Sequence, residues 1–171
     1  PKVSLIIEVL DARIPFSSEN PLVPGLRGNT PFIKVLNKAD LADPVVTQAW
    51  EHHFDQQPGV RAVALHKDDP KAIKGLLDLG TTFLPEDRNT DKPITAMILG
   101  IPNVGKSTLI NILAGRKIAK TGNEPAVTKQ QQRIKIADKF FLMDTPGFLW
   151  PRLYPEECGY RLAVTGAIKD K

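Results

Sequence analysis

The chain is poor in the residues that would commit it to a secreted or membrane life. One cysteine, Cys158, stands alone among 171 residues. Neither a disulfide framework nor a cysteine metal cluster can form within the chain, which suits a reducing, cytoplasmic setting. No apolar run approaches the roughly 20 residues needed to cross a bilayer, and no signal peptide opens the chain. The histidines His52, His53 and His66 have no zinc-site spacing and read as surface or structural residues. Internal repeats and low-complexity tracts are missing as well. What is left is ordinary for a globular protein, 42% apolar and 25% charged, in a length that suits about one domain around one core. The chain starts at Pro1 and stops in Lys169-Asp170-Lys171, and is expected to be a piece of a longer protein.

The net charge of +4 is modest, but it is unevenly spread. Between Arg116 and Lys139 lie seven basic residues (Arg116, Lys117, Lys120, Lys129, Arg133, Lys135, Lys139) and two acids, Glu124 and Asp138. The first sixty residues carry five basic and seven acidic side chains. A basic excess on one segment fits the electrostatic footprint of a phosphate backbone. A solvated basic face is the alternative.

Hydrophobic runs bounded by turn residues mark the strands: Val3–Leu10, Phe32–Leu36, Val60–Leu65, Ile94–Leu99, Arg133–Ile136 and Lys139–Met143. Asp43-Pro44 and Asp69-Pro70 each supply an N-cap and a first-turn proline, predicting helices to about Phe54 and Leu79, the second weakened by Gly75. A third helix runs from Lys106 to Leu113. Strands alternating with helices predict an α/β fold with a mostly parallel six-stranded sheet, its last two strands joined as a hairpin. The polar, proline-bearing stretch from Leu84 to Pro93 is the best linker.

Three motifs carry chemistry. Gly100-Ile-Pro-Asn-Val-Gly-Lys-Ser107 follows a strand and enters a helix, the context of a phosphate-binding loop. Its glycines let backbone N–H groups curl around a phosphate, and the helix N-terminus adds a favourable dipole. Asn103, Val104, Gly105, Lys106, Ser107 and Thr108 form the candidate phosphate-binding set. Lys106 is assigned to the β- and γ-phosphates and the Ser107 hydroxyl to Mg²⁺. Asp144-Thr-Pro-Gly147 ends the next apolar strand, where Asp144 can hold magnesium through a water and the Gly147 N–H can meet the γ-phosphate. Asn37-Lys38-Ala39-Asp40 ends the second strand. There the Asp40 carboxylate can accept from both N1–H and the exocyclic amine of guanine, a donor pair adenine lacks. Asn37 is expected to bind the base and brace the phosphate loop, with the Lys38 stem along the ring. All three motifs sit at carboxyl ends of parallel strands, where α/β sheets bind ligands. Their order is unusual, because the base-reading motif precedes the phosphate loop.

Weaker signals complete the pocket. Thr128 is the best candidate for a switch threonine that reaches magnesium beside a γ-phosphate, against the alternative of an ordinary loop threonine. The turn Leu65-His66-Lys67 is expected to offer backbone N–H groups to the guanine oxygen, although it lacks the Ser-Ala pair usual in GTPases. Phe148 stands where Ras-like enzymes carry the glutamine that orients water, so hydrolysis must be helped from elsewhere. Asn103 is a candidate to hold a potassium ion between the phosphates, or a loop-bracing amide. A slow nucleotide-gated binding module with negligible hydrolysis in isolation is therefore the main rival to an active GTPase. The catalytic set is Lys106, Thr128, Gly147 and Asn103.

With these residues in hand, the chain resembles the circularly permuted GTPases of ribosome assembly, the YlqF/RbgA family. The resemblance rests on Asp11-Ala-Arg-Ile-Pro-Phe-Ser-Ser-Glu-Asn-Pro21, Leu36-Asn-Lys-Ala-Asp40, the phosphate loop extended through Asn111, Ala119-Lys-Thr-Gly122, Asp144-Thr-Pro-Gly147 and Leu162-Ala-Val-Thr-Gly-Ala-Ile-Lys169. It implies a three-layer, Ras-like P-loop NTPase fold in rotated order over residues 1–171, with residues 84–93 joining the original ends. Ten residues reach at most about 33–36 Å, enough to cross beneath a small sheet. The resemblance further implies a cytoplasmic, monomeric enzyme that binds GTP and GDP with Mg²⁺ and potassium. Its expected partners are the large ribosomal subunit and its rRNA, late in maturation, with no membrane or DNA partner. The family's N-terminal segment and C-terminal RNA-binding domain have no counterpart in the sequence. The Asp11-Ala-Arg13 stretch is either a turn cap or a functional element.

Overall fold

Alternation along the strands decides the layers. In the computed structural model, which describes residues 3–119, 131–147, 149–150 and 153–168, the described residues form one six-stranded sheet. Its strands are β1 (Leu5–Asp11), β2 (Phe32–Asn37), β3 (Val60–Ala64), β4 (Ile94–Gly100), β5 (Gln132–Ala137) and β6 (Phe140–Asp144). They lie in the order β3-β2-β1-β4-β6-β5, all parallel to their neighbours except β5, which runs antiparallel to β6. All six expected strands are present and the hairpin is where it was expected. If the chain were started at β4, the spatial order would read 2-3-1-4-5-6 with the second strand antiparallel, the P-loop GTPase arrangement. The rotated motif order therefore leaves an unrotated sheet.

The helical segments are the single turns α1 (Pro15–Ser18) and α2 (Val23–Leu26), then α3 (Pro44–Asp55), α4 (Pro70–Thr82), α5 (Lys106–Ala114) and α6 (Glu157–Val164). Residues Leu5, Ile7 and Val9 of β1, Ile33 and Val35 of β2, and Ile94, Ala96 and Ile98 of β4 point into one core. There they meet Ile73 and Leu76 of α4 and Leu109, Ile110 and Leu113 of α5. Their neighbours Leu10, Phe32, Leu36 and Leu99 point the other way, onto Phe54 of α3. Side chains alternate faces along a strand, so a sheet with two apolar faces takes a helical layer on each. The caps act as the sequence requires: Asp43 accepts from the Val46 N–H at 2.9 Å, and Asp69 from the Ala72 N–H at 2.9 Å. Among the described residues, no helix is long and apolar enough to cross a membrane.

Helix α6 was not anticipated, since its eight residues carry Gly159 and only a short apolar stripe. It buries Cys158 and Leu162 and docks on α1, where the Ser17 hydroxyl donates to the Cys158 Sγ at 3.4 Å. It ends in a Schellman motif, the Gly166 N–H bonding Ala163 O at 2.9 Å and the Ala167 N–H bonding Leu162 O at 2.8 Å. Gly166 has φ +75°, the left-handed geometry glycine tolerates.

One charged cluster lies inside the sheet face that carries α3. Glu8 and Lys34 are register partners on β1 and β2, and both are fully buried. The Lys34 ammonium is 3.1 Å from Glu8 Oε2, pairs also with Glu19, and lies 4.7 Å from the Phe32 and Phe54 ring centres. The other Glu8 oxygen accepts from the Asn20 N–H at 2.7 Å. Burial pushes the Glu8 carboxyl above its ordinary range, against the opposing pull of Lys34 and the Asn20 N–H. The cluster staples the segment carrying α1 and α2 onto the sheet. Removing one member of a buried pair leaves an uncompensated charge, at about 3–5 kcal/mol. Because Lys34 keeps Glu19, Glu8→Leu should lower stability by less than that full amount in guanidinium unfolding, and adding Lys34→Met should restore most of it. Equal loss in the single and double variants would show that the pair is not the cause.

Candidate nucleotide-binding site

Because β1, β2, β3, β4 and β6 run parallel, their carboxyl ends share one edge. Register places Asp11 beside Asn37, Val9 beside Gly100 and Ile98 beside Asp144. Residues far apart in sequence thus meet at one rim. The phosphate loop turns there through two left-handed residues, Asn103 at φ +61° and Gly105 at φ +96°, and hands over to α5, whose N-cap is Gly105. Ser107 and Thr108 follow in its first turn. The curl presents successive backbone amides at a helix N-terminus, a cradle for an anion.

The base-reading motif is tied directly to that loop. Asn37 Nδ2 donates to Val104 O at 2.8 Å, and Lys38 Nζ donates to Asn103 O at 2.8 Å. Lys38 adopts φ +60°, a conformation that costs a non-glycine residue about 1–3 kcal/mol and persists only when its surroundings impose it. Asp40 follows on an exposed 3₁₀ turn, Ala39–Leu41. The turn after β3 supports it, since the Ala39 N–H donates to Leu65 O at 3.0 Å. The Leu65 N–H itself is engaged by Leu36 O at 2.9 Å, which leaves the amides of His66 and Lys67 as this turn's candidates for the guanine oxygen. His66 Nδ1 is buried without a hydrogen-bond partner among the described residues.

At the phosphate end, the buried Lys106 ammonium pairs with the buried Asp144 carboxylate and donates to Thr145 O at 2.6 Å. The end of β6 is pinned to β4 by the Thr145 hydroxyl, which donates to Ile98 O at 2.8 Å. Gly147 lies so close to the loop that a Cβ would sit 3.2 Å from Pro102 N. A lysine, a strand-end carboxylate and a first-turn serine hydroxyl next to an amide cradle are the donor set for a magnesium-bound phosphate chain. The set fits that group. Thr128 and Phe148 lie outside the described residues.

One feature of the rim was invisible in the sequence. The Asn103 amide packs against the C-terminal turn of α6, where a Cβ on Gly166 would lie 2.7 Å from Asn103 Nδ2. The phosphate loop and the end of α6 therefore touch through the Asn103 side chain. The signal available was a glycine after an amphipathic stretch, which points to a helix end but not to what it touches.

A family model described as a 50S ribosome-binding GTPase matches residues 95–168. The ribosome biogenesis GTPase A of Bacillus pumilus is 49% identical, over 98% of this chain and 62% of that protein. A solved structure of GNP-bound YlqF from T. maritima matches with a TM-score of 0.70 and 30% identity, over 97% of this chain and 61% of that one. A GDP-bound YlqF matches with a TM-score of 0.69 and 30% identity, over 98% and 66% of the respective chains. The chain thus spans a little under two thirds of the relatives it matches.

The most sensitive position at the rim is Gly105. A Cβ there would collide with Asn37 Nδ2, and a positive φ adds about 1–2 kcal/mol for an L-residue. Gly105→Ala should therefore break the Asn37–Val104 bond and lower thermal stability by roughly 2–3 kcal/mol in total. Unchanged melting would show that the loop relaxes away from Asn37.

Proposed function

Since this chain belongs to the ribosome biogenesis GTPase A family, YlqF/RbgA, we propose that it binds GTP and GDP and hydrolyses GTP as an assembly factor of the large ribosomal subunit. The observation that carries the reading is the pair of bonds from Asn37 and Lys38 to the phosphate loop. They set a guanine-selective motif at a fixed distance from an anion cradle, as recognition of one guanine nucleotide requires.

Each residue has a physical task in this reading. The amides from Asn103 to Thr108 hold the phosphates, and Lys106 exchanges Asp144 for the phosphate oxygens. Ser107, and Asp144 through a water, would hold Mg²⁺, which would supply charge neutralisation for the phosphates. Thr128 and the Gly147 amide sense the γ-phosphate. Asp40 and Asn37 read guanine, with His66 supplying an amide. Asn103 contributes to a potassium site whose cation takes the place of an arginine finger. Phe148 cannot hydrogen-bond water, so hydrolysis must be helped from a group other than the one Ras-like enzymes use. That feature favours, as second reading, a nucleotide-gated binding module whose bound state does the work, with negligible hydrolysis in isolation.

The basic segment supports an rRNA partner. Strand β5 forms an edge of the sheet and exposes Arg133 and Lys135, with the Arg133 guanidinium 4.0 Å from the Phe141 ring centre. Residues 84–93 connect the end of α4 to the start of β4, on the side of the sheet away from the motif rim. That position supports their role as the join between the original chain ends.

Affinities for GDP, GTP and ATP test the base assignment, and tighter ATP binding would overturn it. Asp40→Asn should move preference from guanine to xanthine nucleotides, because the amide presents a donor where guanine needs an acceptor. Turnover measured in potassium or sodium, with and without large subunits, separates the two readings. Stimulation supports the enzyme, and its absence under every condition supports the passive module.

A further inference from the structure

The closing turn of β1, Asp11-Ala-Arg13, has no task in the mechanism above. It nevertheless lies at the centre of the rim. Asp11 is 1% exposed and sits in register with Asn37. Its own N–H donates to the Ser18 hydroxyl at 3.0 Å, and the next N–H, of Ala12, donates to Asn37 O at 2.8 Å. The turn is therefore anchored both to α1 and to the base-reading motif.

The Asp11 carboxylate divides its oxygens between two tasks. Oδ1 accepts from the Arg13 N–H at 3.1 Å and from Arg13 Nε at 2.9 Å. Oδ2 accepts from Arg13 Nη2 at 2.7 Å and from Lys38 Nζ at 3.3 Å. Capping a turn requires one acceptor oxygen, and Oδ1 supplies it. The second oxygen reaches across to the lysine that also holds the Asn103 carbonyl. A lysine side chain loses rotamer freedom when fixed, so an ammonium already held in place has less to lose when nucleotide arrives. Arg13 fixes the carboxylate through a planar two-pronged contact, the strong form of such a pair. Its guanidinium also lies within electrostatic reach of Asp40.

We propose that Asp11 and Arg13 are positioning residues for guanine nucleotide, a clamp that holds Lys38 of the base-reading motif against the phosphate loop and links it to α1. The inference rests on the guanine-nucleotide reading and deepens it. The clamp acts through the Lys38 contact, so its effect should exist only while Lys38 is present.

A double-mutant cycle on GDP affinity and GDP release tests this. Asp11→Asn keeps the capping oxygen and replaces the lysine-facing one with a donor. It should weaken GDP binding roughly tenfold, the scale of one charge-assisted bond, mainly through faster release. In a Lys38→Met background the same substitution should change affinity less than twofold. Should Asp11→Asn fail to fold, Arg13→Met combined with Lys38→Met gives the same cycle, with Arg13→Lys as the conservative variant that recovers only part of the loss. Additive effects in either cycle would reduce the clamp to a turn cap and overturn the inference. The parent chain's preference for GDP over ATP is measured alongside. Loss of that preference would overturn the guanine reading, whereas additive effects with the preference intact would overturn the clamp alone.

Discussion

Two hydrogen bonds hold the halves of the pocket at a fixed spacing: Asn37 Nδ2 to Val104 O and Lys38 Nζ to Asn103 O, each 2.8 Å long. They join positions 67 and 65 residues apart along the chain. Their geometry is possible because β1 separates β2 from β4 and all three run the same way. The carboxyl ends of the strands then fall on one rim whatever order the chain visits them in. A ligand needs that rim, with its base reader at one place and its anion cradle at another. The connectivity between them is free to change so long as these two bonds can form.

The rim is costly to hold in shape. Lys38, Asn103 and Gly105 all take positive φ values, and the ionic groups Lys106, Asp144 and Asp11 are buried. Each is balanced by a partner at close range: Lys106 by Asp144, Asp11 by Arg13 and Lys38. Burial works to raise the Asp11 carboxyl, but the Arg13 hydrogen bonds and the nearby charges hold it below its ordinary range. A second buried cluster, Glu8 with Lys34 and Glu19, secures the segment carrying α1 and α2 beneath this rim. Strain and charge at the functional edge thus rest on an apolar sheet whose two faces are fully covered by helices.

Much of this was legible in the chain itself, and for local reasons. Strands such as Val60–Ala64 and helices beginning at Pro44 and Pro70 follow from apolar runs and from Asp-Pro caps, which act over a few residues. The bracing of the phosphate loop by Asn37 was also expected, because the motif implies the contact. Helix α6 was missed because its apolar stripe is short and its stability comes from docking Cys158 on Ser17, a contact between positions 141 residues apart. The Leu65 amide, expected to face guanine, instead extends the pairing with Leu36, a role that depends on where β3 ends against β2.

The sequence by itself determined which chemistry each motif can offer. The spacing of Gly100, Gly105, Lys106 and Ser107, and the carboxylate of Asp40, encode chemistry within single turns of chain, where covalent connection sets the distances. It also determined that the motifs come in rotated order. Only the tertiary structure decided what that order means. The parallel sheet returns the motifs to one edge, pairs Asp11 with Lys38, and sets Gly166 against Asn103. Those neighbours are separated by long stretches of chain, so no local pattern records them. They exist because strand register and helix docking bring the residues within hydrogen-bonding distance.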